Sequence, residues 1–274
     1  MTALRESLGK SGWAVRLAAG LAAFILFAVP ALVLVATSWT EQRFALFPPK
    51  GFTLEWFGEV LTSKKWLQPF GRSATVAAIG TALAVILGVA AAIGVSRLRS
   101  SRAARAWRTV MILPLAVPPI ALGVGLYNMG RWLNLSDGRM ALLILGQMIS
   151  ALPFVFVLVA GAITRLDPNL HKAAQTLGAN SWLIIRKVEL PLLGPTILAA
   201  AVFAFVVIFD EVVLAVFLLP PGVETLPVTM LRASQETMTP ALTAASTVVS
   251  LLAVLLLGGS QMVGRGKKGG ADAP

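Results

Sequence analysis

Six uncharged stretches decide what this chain can become. They run over Leu17–Ser38, Ser73–Ser96, Thr109–Gly130, Met140–Thr164, Pro191–Phe209 and Thr237–Gly264. Each comes to the roughly 20 residues an α-helix needs to cross about 30 Å of hydrocarbon. Backbone in lipid must satisfy its own N–H and C=O groups, so such stretches read as helices. The composition agrees, with 57% hydrophobic and 13% charged residues and a mean hydropathy of +0.82. The first stretch follows Arg5, Lys10 and Arg16 as a signal peptide would. It exceeds the roughly 7–15 residues of a signal core and holds Pro30, so it is counted as a span. The expected fold is an all-α polytopic membrane protein of six transmembrane helices.

The spans are placed at about 17–38, 73–96, 109–130, 140–164, 191–218 and 240–262, in one transmembrane domain over 17–264. A segment over 1–16 and a tail over 265–274 flank it. An even number of spans puts both termini on one side, and Lys and Arg favour the cytoplasm. With the termini inside, fifteen basic residues fall on the cytoplasmic side, among them Arg97, Arg99, Arg102, Arg105 and Arg108. Seven fall outside, with Arg72 at the border of the second span. Both termini are therefore expected in the cytoplasm. A cysteine at Ser136 should react with an impermeant thiol reagent, and one at Ser100 should not. The net charge of +11 is spent on helix ends, as topology requires, so no nucleic-acid partner is inferred.

Two connections are unequal to the rest. Trp39–Arg72 carries Pro48-Pro49, Gly51 and the aromatics Trp39, Trp56-Phe57 and Trp66, the composition of an interfacial anchor. Arg165–Pro191 is polar and long enough for two short helices. Asp167-Pro168 supplies a capping residue ahead of a proline at the first helical position. Leu170, Ala173, Ala174 and Leu177 then share a face, and Gly178 can close the helix in a left-handed conformation. Asn180 or Ser181 can cap a second helix ending before Pro191. The residues alone leave open whether this helix-turn-helix docks on a protein or lies on the bilayer.

Catalytic motifs fail. Gly9-Lys10-Ser11 imitates the end of a phosphate-binding loop, but Leu4 stands where its first glycine belongs. No catalytic residue, metal site or bound cofactor is expected. His171, the single histidine, lacks partners for a metal site or a triad and reads as a solvated loop residue. Pro30, Pro114, Pro118-Pro119 and Pro153 predict bends inside spans. Asp210 and Glu211 close the fifth apolar run. Ionised carboxylates are costly in lipid, so they either face a wet path or hydrate at the external interface ahead of Pro220-Pro221-Gly222.

Lys172–Pro191, KAAQTLGANSWLIIRKVELP, resembles the EAA loop of ABC importer permeases of the binding-protein-dependent type. Ala173, Ala174, Gly178, Val188, Leu190 and Pro191 fall at that loop's positions, whereas Lys172 replaces its acidic residue. Leu113–Leu126, the Phe209-Asp210-Glu211 triplet, Pro221-Gly222 and Thr225-Leu226-Pro227-Val228 are similar to the spermidine/putrescine branch. The resemblance implies a MetI-like bundle, the permease fold of type I ABC importers. It also implies a second permease subunit, an external substrate-binding protein and a separate ABC ATPase dimer that holds ATP and Mg. By the same resemblance Lys172, Ala173, Ala174, Leu177, Gly178, Val188, Leu190 and Pro191 couple to the ATPase, and the substrate is a polyamine or related amine passing Asp210 and Glu211. The alternatives are an anion or metal importer of the same architecture, an ion-coupled secondary transporter using the acids as a relay, or a membrane anchor.

Overall fold

The computed structural model describes residues 2–135 and 139–266, and among them regular structure is helical throughout. Ser136, the external labelling position, and Lys267 and Lys268 of the tail lie outside the described residues. Contacts divide the chain into two compact units, the first holding the residues up to Ser63 with Arg232–Ser250. The second holds Lys64–Leu231 and the residues from Leu251 on.

In the first unit α1 (Thr2–Thr37) contains the apolar stretch Val15–Thr37. The connection after it folds around Thr40, which is fully buried. The Thr40 hydroxyl donates to the Lys50 carbonyl at 3.1 Å and accepts from the Lys50 amide at 3.2 Å. The Trp56 indole N–H donates to the Thr40 carbonyl at 2.7 Å, and Trp39 packs on Phe57 with ring centres 5.1 Å apart. α2 spans Glu55–Thr62. These aromatics therefore hold a folded connection together, and Trp66, also expected at an interface, is only 1% exposed.

The second unit begins with α3 (Lys64–Ser96), α4 (Ser101–Ile112), α5 (Pro119–Trp132) and α6 (Arg139–Ile163). Then come α7 (Pro168–Thr176), α8 (Ser181–Ile184), α9 (Leu190–Phe209) and α10 (Val213–Leu218). α11 (Leu226–Glu236) and α12 (Pro240–Gly266) are shared between the two units. The core is the mutual packing of α3, α6 and α9. Its buried positions are rich in alanine: Ala77, Ala84 and Ala92 of α3, Ala151 of α6, Ala200 and Ala204 of α9. At Gly88 of α3 an added Cβ would lie 2.8 Å from Val155 Cγ1 on α6. Small residues let helix backbones approach closely where lipid supplies no hydrophobic drive between them.

Among the described residues five helices are long and apolar enough to cross a membrane, and a bent pair makes a sixth crossing if it counts as one. That pair corrects the single span expected over 109–130. Residues Ser101–Ala116 and Pro119–Trp132 meet at 95°. Val117 is extended, as a residue before proline must be, and Pro118 follows with φ −58° and ψ 135°. Neither Pro118 nor Pro119 can donate a helical hydrogen bond, so the two prolines turn the chain rather than kink it. The second span starts earlier than expected, at Lys64, and carries Pro69 and Arg72 within its helix. The fifth is displaced at both ends: its helix runs from Ser181 to Phe209, and the expected stretch to 218 is interrupted by a turn at Asp210–Val212.

Candidate coupling loop and acidic turn

The loop after α6 is built from short-range chemistry. The Asp167 carboxylate accepts from the Asn169 amide at 2.9 Å and caps α7, with Pro168 in the first turn. At the other end Gly178 has φ +82°. The Ala179 amide donates to the Ala174 carbonyl at 3.0 Å and the Gly178 amide to the Gln175 carbonyl at 2.9 Å. This pair of bonds is the Schellman closure, and it requires a left-handed residue at position 178. Nothing lies within 4 Å of where a Gly178 Cβ would sit, so backbone conformation, not space, selects glycine. The Asn180 side chain then accepts from the Leu183 amide at 2.8 Å and caps α8.

The second helix of the loop does not end before Pro191. It passes through a π-helical turn, Ile185–Glu189, straight into α9, whose first turn contains Pro191. A proline in a running helix clashes with the carbonyl four residues back, here that of Lys187. The wider π turn places that carbonyl in the expanded segment, so the helix continues. Helix and loop thus form one mechanical piece, Ser181–Phe209.

The sequence-identified loop residues fall into two groups. Lys172 and Ala173 in α7, Leu177, Gly178 and Pro191 are exposed, whereas Ala174, Val188 and Leu190 are partly buried. Leu177 is 88% exposed and Trp182 67%, and both flank the glycine turn. Ile184 and Leu193 are 1% exposed and root the segment in the unit. Three residues missed by sequence reasoning hold the loop's underside. Arg97 Nη2 reaches both carboxylate oxygens of Glu189 at 3.0 and 3.1 Å, and His171 Nδ1 lies 3.5 Å from Glu189 Oε1. His171 is therefore beside an acid, not simply solvated. Glu189 is the only acidic residue between Asp167 and Asp210, a signal available in the sequence. These three side chains line a cavity of about 660 Å³ between the loop and the end of α3.

At the far end of α9 the two acids part company. Asp210 is exposed. Glu211 folds inward: its carboxylate accepts from the Val213 amide at 2.9 Å and the Leu214 amide at 2.9 and 3.1 Å, closing the start of α10. Gln147 of α6, 1% exposed, points its amide at Glu211 Oε2 from 3.5 Å. The Gln147 carbonyl oxygen is buried without a protein partner among the described residues. The Pro221-Gly222 and Thr225–Val228 segment serves packing. Gly222 turns with φ +82°, and the Leu226 amide donates to the buried Ser73 hydroxyl at 2.9 Å. Arg72 adds a bond to the Glu224 carbonyl at 3.3 Å. The structure thus brings the sequence-identified loop residues together on one loop and puts Asp210 and Glu211 at the opposite end of the same long helix.

Comparison with known proteins is specific. Residues 84–263 match the family described as binding-protein-dependent transport system inner membrane component. The chain is 27% identical over 242 residues to the spermidine/putrescine transport system permease protein PotC of Escherichia coli K12, covering 88% of this chain and 90% of that protein. It is 27% identical over 260 residues to the putrescine transport system permease protein PotI of the same organism, covering 93% and 89%. The putative 2-aminoethylphosphonate permease protein PhnV of Salmonella paratyphi A is 29% identical over 218 residues, covering 78% and 81%. Among solved structures, a bacterial ABC transporter importing the acidic polysaccharide alginate superposes with a TM-score of 0.74 at 16% identity, covering 97% of this chain and 99% of that one. The inward-facing MetNI methionine transporter superposes with a TM-score of 0.60 at 17% identity, covering 71% and 92%. A bundle of this shape with an uninterrupted family match over well more than half its length belongs to the binding-protein-dependent inner-membrane components, the permease subunits of ABC importers.

Proposed function

We propose that this permease forms half of the path of an importer for polyamines or related amines, and that its 165–191 loop couples the path to a separate ATPase. The observation that carries the coupling role is the exposed turn at Gly178. Leu177 and Trp182 hold large apolar surfaces outward on a turn closed by the Gly178 and Ala179 backbone hydrogen bonds. Exposed apolar side chains on an ordered scaffold fit a partner's cleft. ATP and Mg would sit on that partner, a dimer of ABC ATPases, since this chain has no phosphate-binding loop. A second permease, of homologous sequence, would complete the path, and an external binding protein would deliver the substrate. One of the structural neighbours is an alginate transporter in complex with its substrate-bound periplasmic protein, which supports such an arrangement.

The amine reading rests on relatives named for spermidine, putrescine and 2-aminoethylphosphonate transport, and on Asp210. Of the two acids, Asp210 is the one left facing outward, available to a cationic group. Lys172 in place of the acidic loop residue implies altered charge pairing on the ATPase. The family match disfavours the secondary-transporter and anchor readings, and anion or metal import is not favoured, since each of the named relatives is named for an amine, one of them bearing a phosphonate as well. The basic-residue count supports a cytoplasmic position for both termini. The deciding experiment is uptake of radiolabelled putrescine into proteoliposomes holding the whole complex. Uptake that requires ATP and is lost in the Gly178→Val variant supports the proposal. Full uptake by that variant refutes the coupling role, and ATP-driven uptake of an anion but no amine refutes the substrate class.

A further inference from the structure

Five arginines, Arg97, Arg99, Arg102, Arg105 and Arg108, fall within twelve residues after α3, and residues 60–136 hold no Asp or Glu. Arg97 is taken by Glu189 and Arg99 borders the cavity beneath the loop, so both belong to the loop's underside. The other three lie on α4, and all are exposed. At about 100° per residue they fall within an arc of about 120°, whereas Ala103, Ala106, Trp107 and Val110 share an arc of about 100° on the other side. The helix is two-faced, yet it buries neither face. None of its residues is buried, and Trp107 and Val110 are 52% and 50% exposed. Helix stability does not account for the arginines either. Arg102 stands in the first turn, where the helix dipole disfavours a cation, and no acid stands there to offset it.

We propose that α4 lies along an anionic membrane surface, with Trp107 and Val110 in the acyl boundary and Arg102, Arg105 and Arg108 on lipid phosphates. A basic helix with tryptophan on its opposite face has the pattern of an interfacial helix. Its neighbours in the chain hold it at that depth. Residues 97–100 alone separate it from α3, a helix apolar enough to cross the membrane, and so short a link reaches no further than about 18 Å. α4 therefore stays close to the boundary where α3 leaves the hydrocarbon. Beyond it the chain turns by 95° at Val117-Pro118 into α5, which fits one helix lying along the surface and the next running toward the interior. A protein seated on α4 would have to supply acids for three guanidiniums, whereas a bilayer with anionic lipid offers phosphates along the whole face. The sign of the charge selects lipid.

The test uses the complete transporter with its permease carrying Val110→Cys, labelled with a polarity-sensitive fluorophore. This chain has no cysteine of its own, so the unsubstituted complex gives the background. The complex is placed in nanodiscs of phosphatidylcholine alone and of phosphatidylcholine mixed with phosphatidylglycerol. The fraction of label reached by neutral, water-soluble acrylamide should fall by about fivefold or more when phosphatidylglycerol is present, and acyl-brominated phosphatidylcholine should quench the same label. Arg102→Gln with Arg105→Gln and Arg108→Gln should abolish the phosphatidylglycerol effect. The triple lysine variant should keep most of it, since a lipid surface asks for charge and not for one guanidinium geometry. If the glutamine variant fails to assemble, raising the salt on the complex with its arginines intact should remove the same effect by screening. A label equally shielded in both nanodiscs and in detergent would show a protein partner on α4 and overturn the proposal. So would a label open to acrylamide in both nanodiscs, or a phosphatidylglycerol effect that survives the glutamine variant or high salt.

Discussion

The two ends of the helix Ser181–Phe209 treat their functional groups in opposite ways. At the loop end the backbone closes on itself through Ala179 and Gly178, and Leu177 and Trp182 are left projecting outward. At the acidic end a side chain does the closing, because the Glu211 carboxylate takes the amides of Val213 and Leu214. A turn sealed by main chain leaves its side chains free for a partner. A turn sealed by a carboxylate has consumed that carboxylate. The lesson is that exposure after local hydrogen bonding, more than residue type, separates groups available to a partner from groups already engaged.

The largest effect that would break this contrast is at Gly178. A non-glycine residue there costs about 1–2 kcal/mol in the left-handed region, more for a β-branched one. Gly178→Val should reduce ATP-driven uptake by about tenfold or more while the chain still inserts and assembles. Gly178→Asn, which tolerates that conformation, should retain most of it. Uptake assays beside quantitation of assembled complex would show whether the turn's shape is the cause. Next comes the outward face: Leu177→Glu should weaken ATPase association by about thirtyfold, since burying one leucine at an interface is worth about 2 kcal/mol. Its own stability should be unchanged, because the side chain is 88% exposed. Titration of purified ATPase onto permease in nanodiscs would measure this.

At the other end the pair should separate by kind of defect. Asp210→Asn should lower amine uptake several-fold with unchanged thermal stability, the signature of an exposed acid on the path. Glu211→Gln should instead destabilise the permease by about 1 kcal/mol, because a neutral amide caps a helix less well than a carboxylate. Thermal denaturation in detergent, run beside uptake for both variants, would collapse the distinction if the two behaved alike.

Legibility in the sequence follows how far apart the interacting groups lie. The α7 cap, the Gly178 closure and the Asn180 cap were readable because each is a bond within a few residues. The 95° bend was partly readable, since four consecutive residues include Pro118 and Pro119, but its size depended on Val117 being forced extended. The break at Asp210–Val212 carried no glycine or proline to announce it. It depends on Glu211 competing for amides that a continuing helix would otherwise use. The π turn was hidden for the same reason, as its effect is to absorb Pro191, which sequence rules read as a stop. Gln147, the one amide in the run Met140–Thr164, was passed over by sequence reasoning because its partner lies 64 residues away.

The smallest expected effect concerns the joint that, under the proposed coupling role, would carry motion from the loop into α9. Arg97 and Glu189 are 92 residues apart in sequence, and their side chains are 31% and 20% exposed. A pair so placed is worth about 0.5–1 kcal/mol, too little to decide whether the chain folds. It is enough to alter how rigidly the π turn is tied to the end of α3, because Ile184 and Leu193 otherwise anchor that segment only by packing. Glu189→Gln should therefore leave assembly and ATPase binding intact and raise the ATP hydrolysed per amine imported by about two- to threefold. Arg97→Gln should do the same to a lesser degree, since His171 remains within 3.5 Å of Glu189. The exchange Arg97→Glu with Glu189→Arg should recover part of the loss, because the contact is restored with its charges reversed while His171 loses its acid. An unchanged ATP-to-substrate ratio in both single variants would mean that packing alone transmits the loop's motion.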